Sequence, residues 1–287
     1  MNVIALGFFD GVHLGHAALL QKARQEADRL GCKAAALTFE RHPDEVIFGR
    51  KTPLINTLQE REALMRERFG MDEIVTLPFD KAMMQMPWQD FAAMLEERFD
   101  AAAVVCGHDF TFGYQGEGNA ERLKALLGER CYVIEAVKLD GETVSSTKIR
   151  ELVRRGEICR ANEMLGRPHF LRGTVIHGKH LGRKIGIPTA NLLLPEGVVV
   201  PCYGVYASMV DGRPAVTNIG VRPTLDDGEA PTVESRLLDF DGDLYGKTIC
   251  VELLHYLRPE RKFSSVEELK DQILEDTKTT QHLLDQA

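Results

Sequence analysis

Near its amino terminus the chain reads Val3-Ile4-Ala5-Leu6-Gly7-Phe8-Phe9-Asp10-Gly11-Val12-His13-Leu14-Gly15-His16. A short apolar run, typical of a buried strand, passes directly into a segment with glycines and two histidines, and a helical pattern follows. In a parallel sheet such a loop lies at the carboxyl edge, where ligands bind and the free amides of the next helix attract anions. The stretch therefore predicts an α/β domain with a phosphate site at this loop.

The two histidines of this loop, His13 and His16, are three residues apart at the start of the predicted helix. Imidazole N–H groups at this spacing can face one anionic group and stabilise the charge that grows on a phosphate during transfer. Glycines beside them let the backbone approach a ligand closely. We therefore expect both histidines to be catalytic. The residues expected to bind phosphate in this loop are Gly7, Phe9, Asp10, Gly11 and Gly15.

The rest of the amino-terminal half repeats the alternation of strands and helices. Helix-length segments separate the apolar runs, and Thr57 with Glu60 forms a capping box that opens one of them. This alternation indicates βαβ units on a Rossmann-like parallel sheet. The predicted strands are Val3 to Leu6, Ala34 to Phe39, Ile74 to Leu77, Ala101 to Cys106 and Tyr132 to Val137.

Beyond Gly166-Arg167-Pro168 the strands come without intervening helices. They are rich in Val, Tyr, Thr and Ile, and turn residues separate them, which favours a small antiparallel β-barrel. A final amphipathic helix opens at a capping box of Ser265 and Glu268. We therefore expect a first domain at residues 1–155, a linker region at 156–167 and a second domain at 168–287. The predicted strands of the barrel are Leu171 to Ile176, Tyr203 to Val210, Ala215 to Ile219, Thr232 to Leu238 and Thr248 to Leu257.

Composition restricts the class of function. A length of 287 residues agrees with two domains of roughly 150 residues each. The formal net charge of −8 argues against nucleic acid as a partner, because it repels the phosphate backbone. The 6 cysteines form no CxxC pair, so no zinc cage or dithiol motif is indicated. A signal-peptide pattern and a long apolar run are both absent from the sequence, so we expect a cytoplasmic protein with no membrane partner.

Two further segments are expected at the site of the first domain. The segment Gly107-His108-Asp109-Phe110-Thr111-Phe112-Gly113 follows a predicted strand, so it belongs at the carboxyl edge. Its aromatic pair is suited to packing or to stacking on a ring, and its carboxylate to holding hydroxyls or a metal. The segment Ser145-Ser146-Thr147-Lys148-Ile149-Arg150 opens a helix with hydroxyls and cations, which suits a triphosphate. An ordinary helix cap explains the second segment equally well.

The second domain has its own constellation. Residues 178–191 space three glycines four apart among cations and end in Pro188-Thr189-Ala190-Asn191, so the loop can wrap a polyphosphate or form a plain hairpin. Thr189 and Asn191 point to one side of an extended segment, a geometry suited to Mg²⁺. Glu234 lies in a β-like run where an unpaired buried carboxylate is costly, which favours a general base. The residues expected to bind phosphate in the loop are Gly178, Lys179, Gly182 and Arg183.

The first loop resembles the HxGH nucleotidylyltransferase superfamily, in the form that bacterial riboflavin kinase/FAD synthetases have. Residues 107–113, 178–191, 218–220 and 233–240 match the same family in the same order. The resemblance implies that the second domain phosphorylates riboflavin with ATP, that the first adenylylates FMN to FAD, and that Mg²⁺ is the cofactor. It also implies that Ser146, Thr147 and Arg150 bind the ATP phosphates and that Arg150 is catalytic. The flavin-binding residues that it implies are Asp109, Phe110, Phe112 and Asn218. Glu234 is then the general base, and Thr189 and Asn191 bind Mg²⁺.

Two other functions fit part of this pattern. The first loop alone allows a nucleotidylyltransferase for another phosphorylated acceptor, and a flavin-binding regulator with a retained kinase barrel is the non-catalytic alternative. The second set of motifs argues against the former. The presence of Thr189, Asn191 and Glu234 together argues against the latter. The expected partners are therefore riboflavin, FMN and ATP, with weak self-association at most.

Overall fold

The structure, a computed structural model, describes residues 1–177, 187–223 and 229–286. The chain forms two compact units, Met1–Ser146 and Thr147–Ala287. The first is a mixed α/β unit and the second contains a barrel, so the predicted fold class is confirmed. The domain boundaries expected from the sequence stay a prediction. None of the helices in the described part of the chain has the length and apolarity needed to cross a membrane.

The first unit alternates strands and helices along the chain. Its helices are α1 (Leu14–Leu30), α2 (Pro43–Phe48), α3 (Leu58–Phe69), α4 (Lys81–Gln85), α5 (Trp88–Glu97) and α6 (Ala120–Leu127). Its strands are β1 (Asn2–Leu6), β2 (Lys33–Phe39), β3 (Glu73–Leu77), β4 (Ala101–Gly107), β5 (Thr111–Phe112), β6 (Gly118–Asn119), β7 (Cys131–Ile134), β8 (Lys138–Leu139) and β9 (Glu142–Thr143).

The main sheet of this unit is parallel, with the order β3-β2-β1-β4-β7. The chain runs from β1 outward to β3 and then returns to β4 on the other side of β1. The topological switch point, where open α/β sheets bind ligands, therefore lies between β1 and β4. The loops after these two strands carry the first two predicted motifs, so both reach the same edge. β7 ends at Ile134, short of the predicted Val137, because its pairing with β4 ends there.

Both faces of the sheet are buried, as expected for parallel strands covered by helices. Val3 and Ala5 of β1 pack with α1 and α3, whereas Ile4 and Leu6 pack with α5 and α6. The helix boundaries follow local sequence signals. The predicted capping box of α3 is present, and α1 ends at Gly31 in the left-handed conformation (φ 65°). The loop after β1 therefore projects from a rigid, two-sided core.

The second unit contains a closed antiparallel barrel of order β10-β11-β14-β13-β12-β15. The strand β11 was not expected from the sequence, whereas the other five were. The strands are β10 (His169–Ile176), β11 (Ala190–Leu193), β12 (Gly204–Val210), β13 (Arg213–Pro223), β14 (Glu229–Leu237) and β15 (Thr248–Arg258). The helices are α7 (Ser146–Arg155), which begins at the last residue of the first unit, α8 (Ile158–Leu165) and α9 (Val266–Asp285).

The carboxyl-terminal helix α9 is attached to the barrel through a partly buried ion pair. Arg258 at the end of β15 donates two hydrogen bonds to Asp276, at 3.0 and 2.7 Å, and Asp276 is buried. Ser265 caps the helix by accepting from the Glu268 amide at 3.1 Å, as predicted. The return bond differs from the predicted capping box, because the Glu268 carboxylate accepts from the Ser264 amide instead.

Candidate active sites

The loop after β1 has a constrained backbone. Phe9, Gly11 and Val12 have φ angles of 58°, 79° and 42°, all in the left-handed region. A β-branched residue there is strained, so the surroundings must hold it. Phe9 and Val12 are both buried in the core that covers one face of the sheet. A Cβ at Gly7 would lie 3.0 Å from the Phe9 ring, so glycine leaves room for that ring.

The two predicted catalytic histidines meet at the amino terminus of α1. His13 is the N-cap, and its Nδ1 accepts a hydrogen bond from the backbone N–H of His16 at 3.3 Å. The two rings are stacked, with centroids 3.7 Å apart and planes 15° apart. Gly15 permits this arrangement, because a Cβ there would lie 3.0 Å from Cε1 of His13. The structure therefore brings both imidazoles to one helix end, where anions bind.

Both histidines are neutral at physiological pH. Burial lowers the pKa of His13 to about 4. Burial also lowers the pKa of His16 well below its usual range, and the nearby His13 and Arg61 lower it further. Because Nδ1 of His13 accepts a hydrogen bond, the proton of its neutral ring is on Nε2. His13 therefore presents an uncharged N–H donor to a ligand, rather than an imidazolium.

Asp10 joins separate segments around the loop. Its Oδ1 accepts hydrogen bonds from the amides of Ile55 and Asn56, at 2.8 and 3.3 Å, just before α3. Its backbone carbonyl accepts from the hydroxyl of Ser146 at 2.9 Å, at the first residue of α7. Ser146 therefore lies against the loop after β1. A shared phosphate site stays a prediction. A phosphate contact of Asp10 itself stays a prediction.

One functional candidate was missed in the sequence: Arg61 on α3. Its guanidinium is fully buried and donates to the carbonyl of Phe8, to the carbonyl of Phe39 at 3.1 Å and to the hydroxyl of Thr38 at 3.0 Å. The available signal was its position four residues before Met65, the other buried residue of α3. A charged residue at a position that helical periodicity assigns to the core indicates a specific role.

The segment after β4, residues 107–113, has one aromatic side chain in the core and the other partly exposed. Phe112 is 7% exposed and belongs to the core, with Phe91 at 5.0 Å between ring centroids. Phe110 stacks on Phe112 at 5.5 Å and is partly exposed. Asp109 is exposed at the edge that faces the switch point. The flavin contacts of these residues stay predictions, and the burial of Phe112 makes it a support for Phe110.

Thr147 and Arg150 lie on α7 in the second compact unit. Arg150 is 7% exposed, and its Nη2 donates to the hydroxyl of Thr147 at 3.4 Å. The structure thus brings these two predicted phosphate-binding residues together on one helical turn. Their contact with ATP stays a prediction.

The barrel aligns three predicted residues on adjacent strands. Asn191 on β11 is directly opposite Glu234 on β14, and Glu234 is directly opposite Asn218 on β13. Opposite residues of antiparallel strands point to the same side of the sheet. The amide, carboxylate and amide therefore form one row, which we call the carboxamide row. Thr189 lies two residues before Asn191, just outside β11, and is partly exposed.

The sequence argument for Glu234 used the cost of an unpaired buried carboxylate and did not say which face of the strand the side chain is on. Its neighbour Ser235 is fully buried, and successive side chains of a strand alternate between faces, so Glu234 faces outward and is partly exposed. The interior carries a chain of hydroxyls instead. Oγ1 of Thr217 lies 2.8 Å from Oγ of Ser235 and 2.7 Å from Oγ of Ser208.

Asn218 donates a hydrogen bond from its amide to Oε1 of Glu260 at 3.0 Å. The Glu260 carboxylate lies over Gly220, where any Cβ would overlap it. Among the described residues no group of three or more His, Cys, Asp or Glu side chains is placed to hold a metal. The predicted phosphate-binding residues Gly178, Lys179, Gly182 and Arg183 lie outside the described residues.

Paired histidines on the turn after the first strand of a parallel sheet define the HxGH class of nucleotidylyltransferases. The family model described as FAD synthetase matches residues 1–148, and the one described as riboflavin kinase matches residues 165–284. The chain therefore belongs to the family of bifunctional riboflavin kinase/FMN adenylyltransferases.

Relatives support this membership over nearly the whole chain. The bifunctional riboflavin kinase/FMN adenylyltransferase of Bacillus subtilis is 35% identical over 285 residues, which span 96% of this chain and 90% of the relative. The protein of the same description from Listeria monocytogenes is 36% identical over 286 residues, spanning 97% and 91%. A crystal structure described as a macrolide-efflux protein from Streptococcus pneumoniae has a TM-score of 0.89 at 32% identity, covering 98% of this chain and 94% of that one.

Proposed function

We propose that this chain phosphorylates riboflavin to FMN in its second unit and adenylylates FMN to FAD in its first, with ATP as the donor in both steps. The observation that carries the division is the separation of the two constellations. The stacked histidines lie at the switch point of one unit, and the carboxamide row lies on the barrel of the other. Family membership supplies the substrates, riboflavin, FMN and ATP.

In adenylyl transfer, a phosphate oxygen of FMN forms a bond to the α-phosphorus of ATP, and the bond to pyrophosphate breaks. Charge grows on the oxygens of the α-phosphate and of the leaving group. His13 and His16 act on this charge as preorganised neutral donors, and the free amides of α1 add to the same field. Ser146, the last residue of the first unit, is proposed to bind the ATP phosphates. Phosphate binding by Thr147 and Arg150 stays a prediction from the sequence. Positioning and electrostatics suffice, so no covalent enzyme intermediate is needed.

In the kinase reaction, the ribityl 5′-hydroxyl of riboflavin attacks the γ-phosphorus of ATP, and ADP leaves. Glu234 accepts the hydroxyl proton as the new bond forms. Its outward position on β14 suits this role, because a base must reach substrate on the outside of a barrel filled by side chains. Asn218, beside it in the row, is proposed to orient the flavin.

The described residues around the carboxamide row fit Mg²⁺. Thr189 and Asn191 offer hydroxyl and amide oxygens, the hard ligands that Mg²⁺ prefers, and Asn191 faces the Glu234 carboxylate across the strand pair. We propose that Thr189 and Asn191 hold the ion with the ATP phosphates. When bound, it neutralises charge on the phosphate oxygens. A cytoplasmic location, weak self-association and the lack of a nucleic-acid partner are proposed on the sequence alone.

The test is to incubate the purified chain with riboflavin, ATP and MgCl₂ and to separate the flavins by chromatography. FMN should appear first and FAD later, and both should vanish when EDTA replaces MgCl₂. FMN supplied directly should become FAD with release of pyrophosphate. A chain that leaves riboflavin and FMN unchanged would contradict the proposal. Pyrophosphate release with another phosphorylated acceptor, but not with FMN, would favour the alternative nucleotidylyltransferase.

A further inference from the structure

Arg61 has an environment that is uncommon for an arginine. Its side chain is fully buried, and its hydrogen bonds go to two backbone carbonyls and a hydroxyl rather than to a carboxylate. Burying a guanidinium is costly unless its donors are used, and the carboxylates of Asp10 and Glu62 favour the Arg61 cation only through space, without a hydrogen bond to it. An apolar side chain would fill this space in the core at a lower cost in folding free energy than the Arg61 cation. Its position therefore requires an explanation in terms of what it holds.

The contacts of Arg61 join the carboxyl ends of β1 and β2. Nη1 bonds to the carbonyl of Phe8 and to Thr38 Oγ1, and Nη2 to the carbonyl of Phe39. The Thr38 hydroxyl in turn donates to the same Phe8 carbonyl at 2.9 Å. The guanidinium also lies over the Phe8 ring, 4.2 Å from its centroid. The Arg61 side chain thus contacts both the backbone carbonyl and the ring of Phe8.

Phe8 leads directly to the catalytic histidines. The next residue, Phe9, has the left-handed φ of 58°, and its ring meets the His16 ring edge-on at 5.3 Å between centroids. The His16 ring stacks on His13. A continuous series of contacts therefore runs from the guanidinium through the loop to both imidazoles. A displacement of Phe8 would be transmitted to the ring that donates to phosphate.

We propose that Arg61 is a positioning residue for adenylyl transfer, whose buried guanidinium holds Phe8 and Phe9 so that His16 and His13 present their N–H groups to the transferring phosphate. This proposal rests on the proposed function of the first unit. Arg61 acts only through the loop and through its charge.

The charge of Arg61 supports the same role. Burial lowers the pKa of Arg61 to about 10, so the group remains a cation at neutral pH. Its positive charge is one of the causes that lower the pKa of His16. A fixed cation below the loop thus disfavours an imidazolium and favours the neutral donor.

The test compares Arg61→Met, Arg61→Lys and the matched control Arg66→Met. Arg66 lies on the same helix and donates to a backbone carbonyl, that of Asp72 at 3.1 Å, but it is exposed. Steady-state rates of FAD formation from FMN are measured at a temperature well below unfolding, with riboflavin phosphorylation on the same preparation as reference. The ring nitrogens of the histidines are followed by long-range ¹H–¹⁵N NMR.

For Arg61→Met we expect kcat of FAD formation to fall about 10²-fold, the loss that a misplacement of about 1 Å can cause, with little change in KM for ATP. The kinase rate should stay at the wild-type value. Arg61→Lys, which keeps the charge but not the fork of donors, should recover part of the loss. The His13 and His16 signals should shift in Arg61→Met and not in Arg66→Met.

A merely structural role would lower the unfolding temperature but leave the histidine signals and kcat of the folded protein unchanged, and that result would overturn the proposal. If Arg61→Met does not fold, Thr38→Val removes the hydroxyl that bonds both the guanidinium and the Phe8 carbonyl, and leaves the direct bond between Arg61 and Phe8. It should reduce kcat severalfold and shift the same signals, and an unchanged rate with unchanged signals would again refute the role. A wild-type chain that makes no FAD would refute the proposed function instead, while the NMR comparison would still decide whether Arg61 positions the rings.

Discussion

Replacing Gly15 by alanine should slow FAD formation while leaving the stability of the first unit nearly unchanged. The added Cβ would lie 3.0 Å from Cε1 and 3.1 Å from Nδ1 of His13, so that ring must shift by a few tenths of an ångström, which weakens its stacking and its cap. Loss of the cap to the His16 amide costs about 1 kcal/mol. Replacing a helical glycine by alanine returns up to about 1 kcal/mol. The free energy of unfolding should therefore change by less than about 1 kcal/mol.

Catalysis should respond differently, because it depends on the direction of the imidazole N–H. Loss of one preorganised donor usually costs about 10² to 10³ in kcat, so a misdirected His13 in Gly15→Ala should slow FAD formation by up to about 10²-fold. The assay measures initial rates of FAD formation from FMN and ATP, with riboflavin phosphorylation as the internal reference and urea unfolding for stability. The kinase rate should not change.

His13→Asn provides the matched variant, since asparagine can still cap the helix but lacks the ring. If the added methyl acts only through His13, the double variant should be no slower than His13→Asn alone. A Gly15→Ala protein with the wild-type rate would refute this reasoning. Losses that multiply in the double variant would also refute it, because they would place the effect of Gly15 elsewhere.

Three further predictions concern the second unit. Burial lowers the pKa of His169 to about 3, so as pH falls through 6.5 only the unfolded chain takes up a proton at this residue. The free energy of unfolding should therefore drop by about 2 kcal/mol between pH 7.5 and 5. Urea unfolding at the two pH values should show this part of the decline in the wild type and not in His169→Leu. Gly220→Ala should displace the Glu260 carboxylate, which accepts a hydrogen bond from the Asn218 amide. Because that bond fixes the predicted flavin-binding amide, KM for riboflavin should rise severalfold in kinase assays, and an unchanged KM would count against flavin binding by Asn218. A fragment of residues 147–287 should phosphorylate riboflavin and unfold at a higher temperature than residues 157–287, because α7 belongs to this compact unit; equal unfolding temperatures would count against it.

Local signals predicted most of the fold. The glycine after α1 and the capping box of α3 mark helix boundaries that depend on a few neighbouring residues, and the structure has them where expected. The strand β11 was missed because its four residues follow a basic, glycine-rich segment and are too few to show a strand period of their own. Barrel closure creates this strand, since both of its edges are paired with β10 and β14.

The candidate sites were predictable as motifs but not as geometry. Residue types and spacing identified the histidine pair, but its stacking depends on three-dimensional packing around Gly15. The alternation of β14 predicts two faces without saying which is buried, so the face of Glu234 was not fixed by the sequence pattern. Arg61 acts on a loop 53 residues earlier in the chain, and such long-range contacts have no local signature.

The division of chemistry between the two units is tested most directly by mixing two variants, each of which lacks one of the two activities. His16→Ala should convert riboflavin to FMN and stop there, whereas Glu234→Gln should leave riboflavin unchanged but still adenylylate FMN. An equimolar mixture, given riboflavin, ATP and MgCl₂, should therefore produce FAD, because FMN released by the first variant is a substrate for the second. A mixture that produces no FAD, although both variants are folded, would contradict the assignment of the two steps to separate units, as would FAD formation from riboflavin by either variant alone at the wild-type rate.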